Sequence, residues 1–109
     1  MIVMSLIDWA SQVAQDKLES LPGRWAHVQG VARKARTLRA IAGQDADLLE
    51  AAAILHDVGY APDIAVTGFH PLDGASYLAD LGAPARLVDL VAHHSFAFLE
   101  AGFAAWPTR

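Results

Sequence analysis

A chain of 109 residues fits one domain and leaves little room for a second. With 54% hydrophobic and 18% charged residues it can form a core without covalent staples, and with no cysteine it excludes disulfide scaffolds, thiolate zinc sites and a thiol nucleophile. Its formal net charge of −4 argues against broad, sequence-independent nucleic-acid binding, which needs many cations to displace counterions.

Residues 1–6 are apolar, but the stretch is short, lacks a basic lead-in and runs straight into Asp8, so it does not read as a signal peptide. No run approaches the ~20 apolar residues that span a bilayer, and a cytoplasmic chain without membrane attachment is expected. Gly and Pro divide the sequence into helix-sized pieces. The first is expected over 5–21, ending at Pro22-Gly23. The second runs from Arg24 to Gly43, with Val28, Val31, Ala32, Ala35, Leu38 and Ala42 as its apolar stripe. Arg33, Lys34, Arg36 and Arg39 crowd its other side, first as a solvated face and second, through Arg33 and Arg36, as an attractor for an anionic substrate. A third helix starts at Asp45 or Asp47, where Asp47 with Glu50 resembles a capping box. Its body, 48–55, is apolar nearly all round apart from Glu50, which makes it the buried central helix. It is expected to end at or just past His56-Asp57, with Gly59 as the stop. Residues 60–69 read as a loop. Pro71 suits the first position of a fourth helix with His70 as cap, running to about Gly82. Pro84 opens a fifth that carries Leu87, Leu90, Val91 and His94 on one stripe, and 96–106 form a short sixth. Frequent alanine and the lack of strand alternation give an all-α fold, a single compact bundle of five to six helices.

Five histidines are present: His27, His56, His70, His93 and His94. The pair His56-Asp57 is the most informative. An apolar helix that buries itself has little reason to finish in His-Asp, because each group loses solvation at a cost on the order of several kcal/mol without a partner. A divalent cation satisfies both, and the partial negative charge of a helix C-terminus favours one there. His93-His94 end the fifth helix under the same argument. Plainer readings stay open at this point: ordinary core or surface imidazoles, a hydrogen-bonded His-Asp pair, or Asp57 capping the next turn.

The segment Arg24-Trp-Ala-His27-Val-Gln-Gly-Val-Ala-Arg-Lys-Ala, followed by Ala51-Ala-Ala-Ile-Leu-His56-Asp57-Val-Gly59, resembles the HD superfamily. That family shows a first His on one helix, then an alanine-rich helix ending Leu-His-Asp-hydrophobic-Gly. His70-Pro-Leu-Asp-Gly74-Ala resembles the later His-x-x-x-Gly-Ala segment of its two-metal members. Val91-Ala-His93-His94 resembles their downstream His or His-His. The resemblance spans residues 24–95 and uses every histidine.

It implies a single HD-like domain over 1–109 that hydrolyses a nucleotide or other phosphoester, a small anionic substrate. His27, His56 and Asp57 would be metal ligands, with Asp57 bridging if two ions bind. His70, His93 and His94 would complete a second position or contact phosphate, and His70 or His94, if unliganded, would act as general acid. One or two divalent transition ions (Mn, Fe, Zn, Co or Ni) suit such ligands. Gly74 would let its helix approach a neighbour closely. The alternatives are a di-iron oxygenase of the same fold and an inactive domain serving as a ligand-binding or dimerisation module. Two departures matter. Tyr60 stands where many members place a Lys after His-Asp-x-Gly. The family's distal Asp is also missing: no Asp follows Asp89, and Glu100 is the one carboxylate after His94. Either Glu100 substitutes, or the natural chain continues with a further C-terminal helix, or the site is incomplete. Asp89, one turn before His93, is expected to orient that imidazole. The aromatic residues Phe96, Phe98, Phe103 and Trp106, with Leu99, close the core or support a homodimer.

Overall fold

The computed structural model describes residues 4–93. Six helices follow one another: α1 (Leu6–Leu18), α2 (Pro22–Thr37), a single-turn α3 (Arg39–Ala42), α4 (Ala46–Leu55), α5 (His70–Asp80) and α6 (Ala85–His93). Two 3₁₀ turns, Gly43–Asp45 and Val58–Tyr60, flank α4, and no strand occurs among the described residues.

The expected central helix is α4. Eight of its ten residues are buried, and it packs against both α1 and α2, with α3 and α6 at its sides. Around it, α1 presents Ala10, Ala14 and Leu18 at a spacing of four, so one stripe of small residues lets the two helices close up. Val28, Ala32 and Ala35 are the buried part of the α2 stripe, and Val31, Leu38 and Ala42 pack half-buried on the core. Amphipathic α6 buries Leu87, Leu90 and Val91 and pairs with α5.

Several boundaries differ from expectation, each for a local reason. Helix α1 is capped by Ser5, whose hydroxyl accepts from the Asp8 amide at 3.0 Å, and ends at Leu18. Pro22 then opens α2 instead of closing α1, because a proline at the first helical position gives up an amide that has no partner anyway. The second helix breaks at Leu38 (φ −103°, ψ 10°) before α3. The capping box at Asp47 and Glu50 does not form: Asp45 is the cap residue, and no side chain caps the helix. Glu50, 4% exposed, instead accepts from Arg36 at 3.2 Å and Arg39 at 3.1 Å, and Asp47 pairs with Arg39 at 2.7 Å. Arg36, read as an attractor for substrate, is thus committed to neutralising a buried carboxylate, while Arg33 and Lys34 are exposed. A second two-point pair, Arg86 to Asp45 at 2.7 and 3.0 Å, ties α6 to the start of α4.

His70 is the first residue of α5 and Phe69 its cap, one position earlier than expected. Asp73, in the first turn, reaches back to accept from the amides of Val66, Thr67 and Gly68 and from the Thr67 hydroxyl. Burial raises the Asp73 carboxyl, but these four donors outweigh it and hold the group below its ordinary range. Gly82, at φ +82°, terminates the C-terminal side of α5, where a residue with Cβ is strained. The sixth helix expected over 96–106 lies outside the described residues, as do His94 and Glu100.

Candidate metal centre

Helix α4 ends at Leu55, so His56 and Asp57 fall where the backbone leaves the helix. Asp57 (φ −107°, ψ 7°) is no longer helical, and adjacent side chains converge as a result: His56 Nε2 stands 3.4 Å from Asp57 Oδ1. Both groups are nearly inaccessible, at 6% and 3%. The next turn, Val58–Tyr60, lies against α5 through two glycines. A Cβ on Gly59 would stand 2.0 Å from the His70 carbonyl oxygen, and one on Gly74 would stand 3.2 Å from the Gly59 nitrogen. Gly59 is therefore a close-approach residue and not a left-handed helix stop; its φ is not among the positive ones. That contact carries the N-terminus of α5 to Asp57, and His70 Nε2 comes within 3.5 Å of Oδ1. From the other side of the sequence, α2 supplies His27, with Nε2 3.8 Å from Oδ2. Donor atoms of His27, His56 and Asp57 all lie within 4.8 Å of one another.

The electrostatics call for a cation. His56 Nδ1 lies 2.6 Å from the Ala53 carbonyl, an acceptor, so Nδ1 carries the proton and the neutral ring turns its Nε2 lone pair toward Asp57. Burial lowers the His56 pKa despite the attraction of Asp57, which keeps the ring in its ligating, neutral form. A lone pair and a carboxylate oxygen then face each other at 3.4 Å, an arrangement that a cation would stabilise. Asp57 Oδ2 is buried with no hydrogen-bond partner. Metal–ligand bonds of about 2.1 Å place neighbouring donors about 3.0–3.4 Å apart, close to the spacings seen here. The residues present fit a divalent ion.

The remaining expected site residues are placed as follows. His70 touches Asp57 but is not in the three-residue group; burial lowers its pKa, and nearby Arg24 adds to that. His93 is exposed at the end of α6, with Asp89 at 3.6 Å, the partner expected for it. Arg24 and Tyr60, which sequence reasoning did not select as site residues, line the same cleft. This cleft is about 240 Å³, bounded by Arg24, His27, His56, Asp57, Tyr60, His70, Pro71 and Val91. The available signal for Arg24 was its place three residues before His27, which puts both on one helix face.

A helical bundle that buries a His-Asp pair where its central helix ends, and draws imidazoles from two other helices onto it, defines the class as a helical domain built round a His/carboxylate cation site. The HD domain family model matches residues 24–107, and the chain belongs to that family. The chain is 38% identical over 68 residues to ribonuclease Y from two strains of Thermus thermophilus, and 38% identical over 52 residues to ribonuclease Y from Deinococcus radiodurans. Those alignments cover 62% and 48% of this chain, but only 12% and 9% of the relatives' length. No solved structure matches it. HD domains bind divalent metals, in keeping with the donor set described. No helix among the described residues is long and apolar enough to cross a membrane.

Proposed function

We propose that this chain is a metal-dependent phosphohydrolase domain acting on a nucleotide or other phosphoester. The observation that carries the reading is Asp57: a buried carboxylate with an unpartnered oxygen, faced by three imidazoles on the floor of an open cleft. His27, His56 and Asp57 would hold the first ion. The two Asp57 oxygens face different groups, Oδ1 toward His56 and His70 and Oδ2 toward His27, which suits a bridging carboxylate if a second ion binds with His70. His93 and His94 are the further ligands proposed for that second position, and Glu100 is the substitute proposed for the distal carboxylate of the first.

When bound, a divalent ion supplies Lewis acidity and makes water nucleophilic near neutral pH. The chain's own residues do the rest. Asp57 and the imidazoles fix the reacting centre, and the buried side of the cleft keeps bulk water from Asp57. His70, if it is not a ligand, passes its proton to the leaving oxygen as the phosphorus–oxygen bond breaks; if it is a ligand, His94 takes that role. The relatives are named for cleaving RNA, which adds a phosphodiester to the substrate classes worth testing; this chain's charge of −4 favours a short ligand over a broad polyanion surface.

The test is element-resolved metal content per chain, with hydrolysis of chromogenic phosphomonoester and phosphodiester probes before and after chelation. One or two equivalents of Mn, Fe, Zn, Co or Ni with chelator-sensitive turnover is the expected result. Two equivalents of iron with oxygen consumption and no hydrolysis would establish the oxygenase alternative, since the donor set also suits iron. Absence of metal after reconstitution leaves a binding or dimerisation module.

A further inference from the structure

We infer that Arg24 is the phosphate-binding cation of the cleft, presented by the face of Tyr60; this rests on the phosphohydrolase reading above. Arg24 sits one turn before His27 on α2, so the helix that supplies an imidazole also supplies a guanidinium. Its Cζ lies 3.9 Å from the Tyr60 ring centroid, and the Tyr60 ring stacks on His70 at 4.1 Å with 19° between planes. The three planar groups form one wall of the cleft. Stacking uses the face of a guanidinium and leaves its edge of five N–H donors available, while restricting a long side chain that would otherwise wander.

Those donors are not spent elsewhere. The nearest carboxylate oxygen, Asp57 Oδ2, is 3.7 Å from Nη1, beyond hydrogen-bond distance. Among the described residues no hydrogen bond engages Arg24, whereas Arg36, Arg39 and Arg86 are each bonded to carboxylates. A cation on Asp57 takes up the carboxylate's charge and frees the guanidinium to turn its fork toward an anion in the cleft, a geometry that matches two phosphate oxygens. This also accounts for Tyr60 standing where a lysine was expected. The aromatic ring positions a charge delivered from α2, so the cleft has a cation although Tyr60 supplies none after the His-Asp pair. A volume near 240 Å³ takes a phosphoryl group together with part of the group it is attached to, and the rest of the substrate extends past Arg24 and Tyr60 at the rim.

The experiment is calorimetric titration of inorganic phosphate into the metal-loaded full chain, with metal stoichiometry and affinity measured for every variant. Arg24→Gln is expected to keep its metal and bind phosphate about ten- to a hundredfold more weakly, the loss of hydrogen bonds to a charged group. Arg24→Lys is expected to recover part of that loss, having the charge without the fork, and Tyr60→Leu to weaken phosphate about two- to fivefold by releasing the guanidinium. Unchanged phosphate affinity in Arg24→Gln, with tighter metal binding, would show that Arg24 is only a counter-charge for Asp57 and overturn the inference. If metal-loaded wild type binds no phosphate, the phosphohydrolase reading itself falls and takes this one with it. The side chain is about half exposed, so folding should survive, and Arg24→Lys keeps the comparison available if the glutamine variant does not fold.

Discussion

Asp57 is a carboxylate kept from water, and that fact orders the residue-scale chemistry. Without a cation its Oδ2 has no hydrogen bond, so the ion-free protein carries the cost of that orphaned group. Asp57→Asn should therefore bind no metal while its ion-free form melts no lower than ion-free wild type, as metal analysis and paired thermal scans would show. Wild type should gain about 2.7 kcal/mol with ion at a hundred times its Kd, and the variant nothing. Asp73 offers a pH test away from the ion. The amide and hydroxyl donors hold its folded pKa below the ordinary carboxyl range, so its contribution is complete above that range and is lost as pH falls through the folded pKa. The stability difference between wild type and Asp73→Asn should accordingly shrink below about pH 4, measured by denaturant titration at stepped pH.

Elements meet in this bundle through small residues and paired charges. The Gly59–Gly74 contact brings α5 onto the turn after α4, and both atoms that a Cβ at Gly59 would strike first belong to the His70 backbone. Backbone cannot swing aside as a side-chain tip can. Gly59→Ala should cost about 3 kcal/mol or more, and should also weaken metal binding by displacing His70. Gly74→Ala meets only 3.2–3.3 Å contacts and gains helix propensity, so its cost should be smaller by about 2 kcal/mol. Equal effects in urea melts would contradict this account of the close approach. The Glu50 cluster joins α4 to α2 and α3. Glu50→Ala should destabilise by about 2 kcal/mol and not more, because Arg36 and Arg39 are about half exposed and regain water once their partner is gone.

At the scale of the molecule, α4 is both the spine of the core and the arm that ends in the candidate site, so an ion bound there should stabilise the fold. Chelation should lower the melting temperature by about 10 °C for an ion bound well above its Kd, given a small domain's sensitivity per kcal/mol. Calorimetry with and without chelator checks it; an unchanged transition would mean that the site does not load. The homodimer expected from the aromatic residues rests on positions 96–106, outside the described residues, and light scattering over a concentration series tests it for the whole chain.

Periodicity and punctuation sufficed for the all-α class and for the order of α1, α2, α4, α5 and α6, because apolar stripes at helical spacing and Gly or Pro between them are local signals; the break that sets off α3 was not among them. The burial of α4 followed from its being apolar nearly all round, and the order of His27, His56-Asp57 and His70 followed from the pattern shared with the HD family. Distances did not follow. Glu50 looked like a cap because its spacing from Asp47 is local, whereas its real partners, Arg36 and Arg39, lie eleven and more positions away. Gly59 looked like a helix stop, and only the packing of α5 showed that the space, not the φ angle, demands glycine. Arg24 only opened the first segment of that pattern and Tyr60 only departed from it; they became a pair when two helices and a turn met over Asp57. A sequence pattern determines which face of each helix is apolar, because that depends on neighbours three and four residues apart. Which polar groups converge on the buried end of α4 is decided by long-range packing, since a charge seeks whatever partner the fold places within reach.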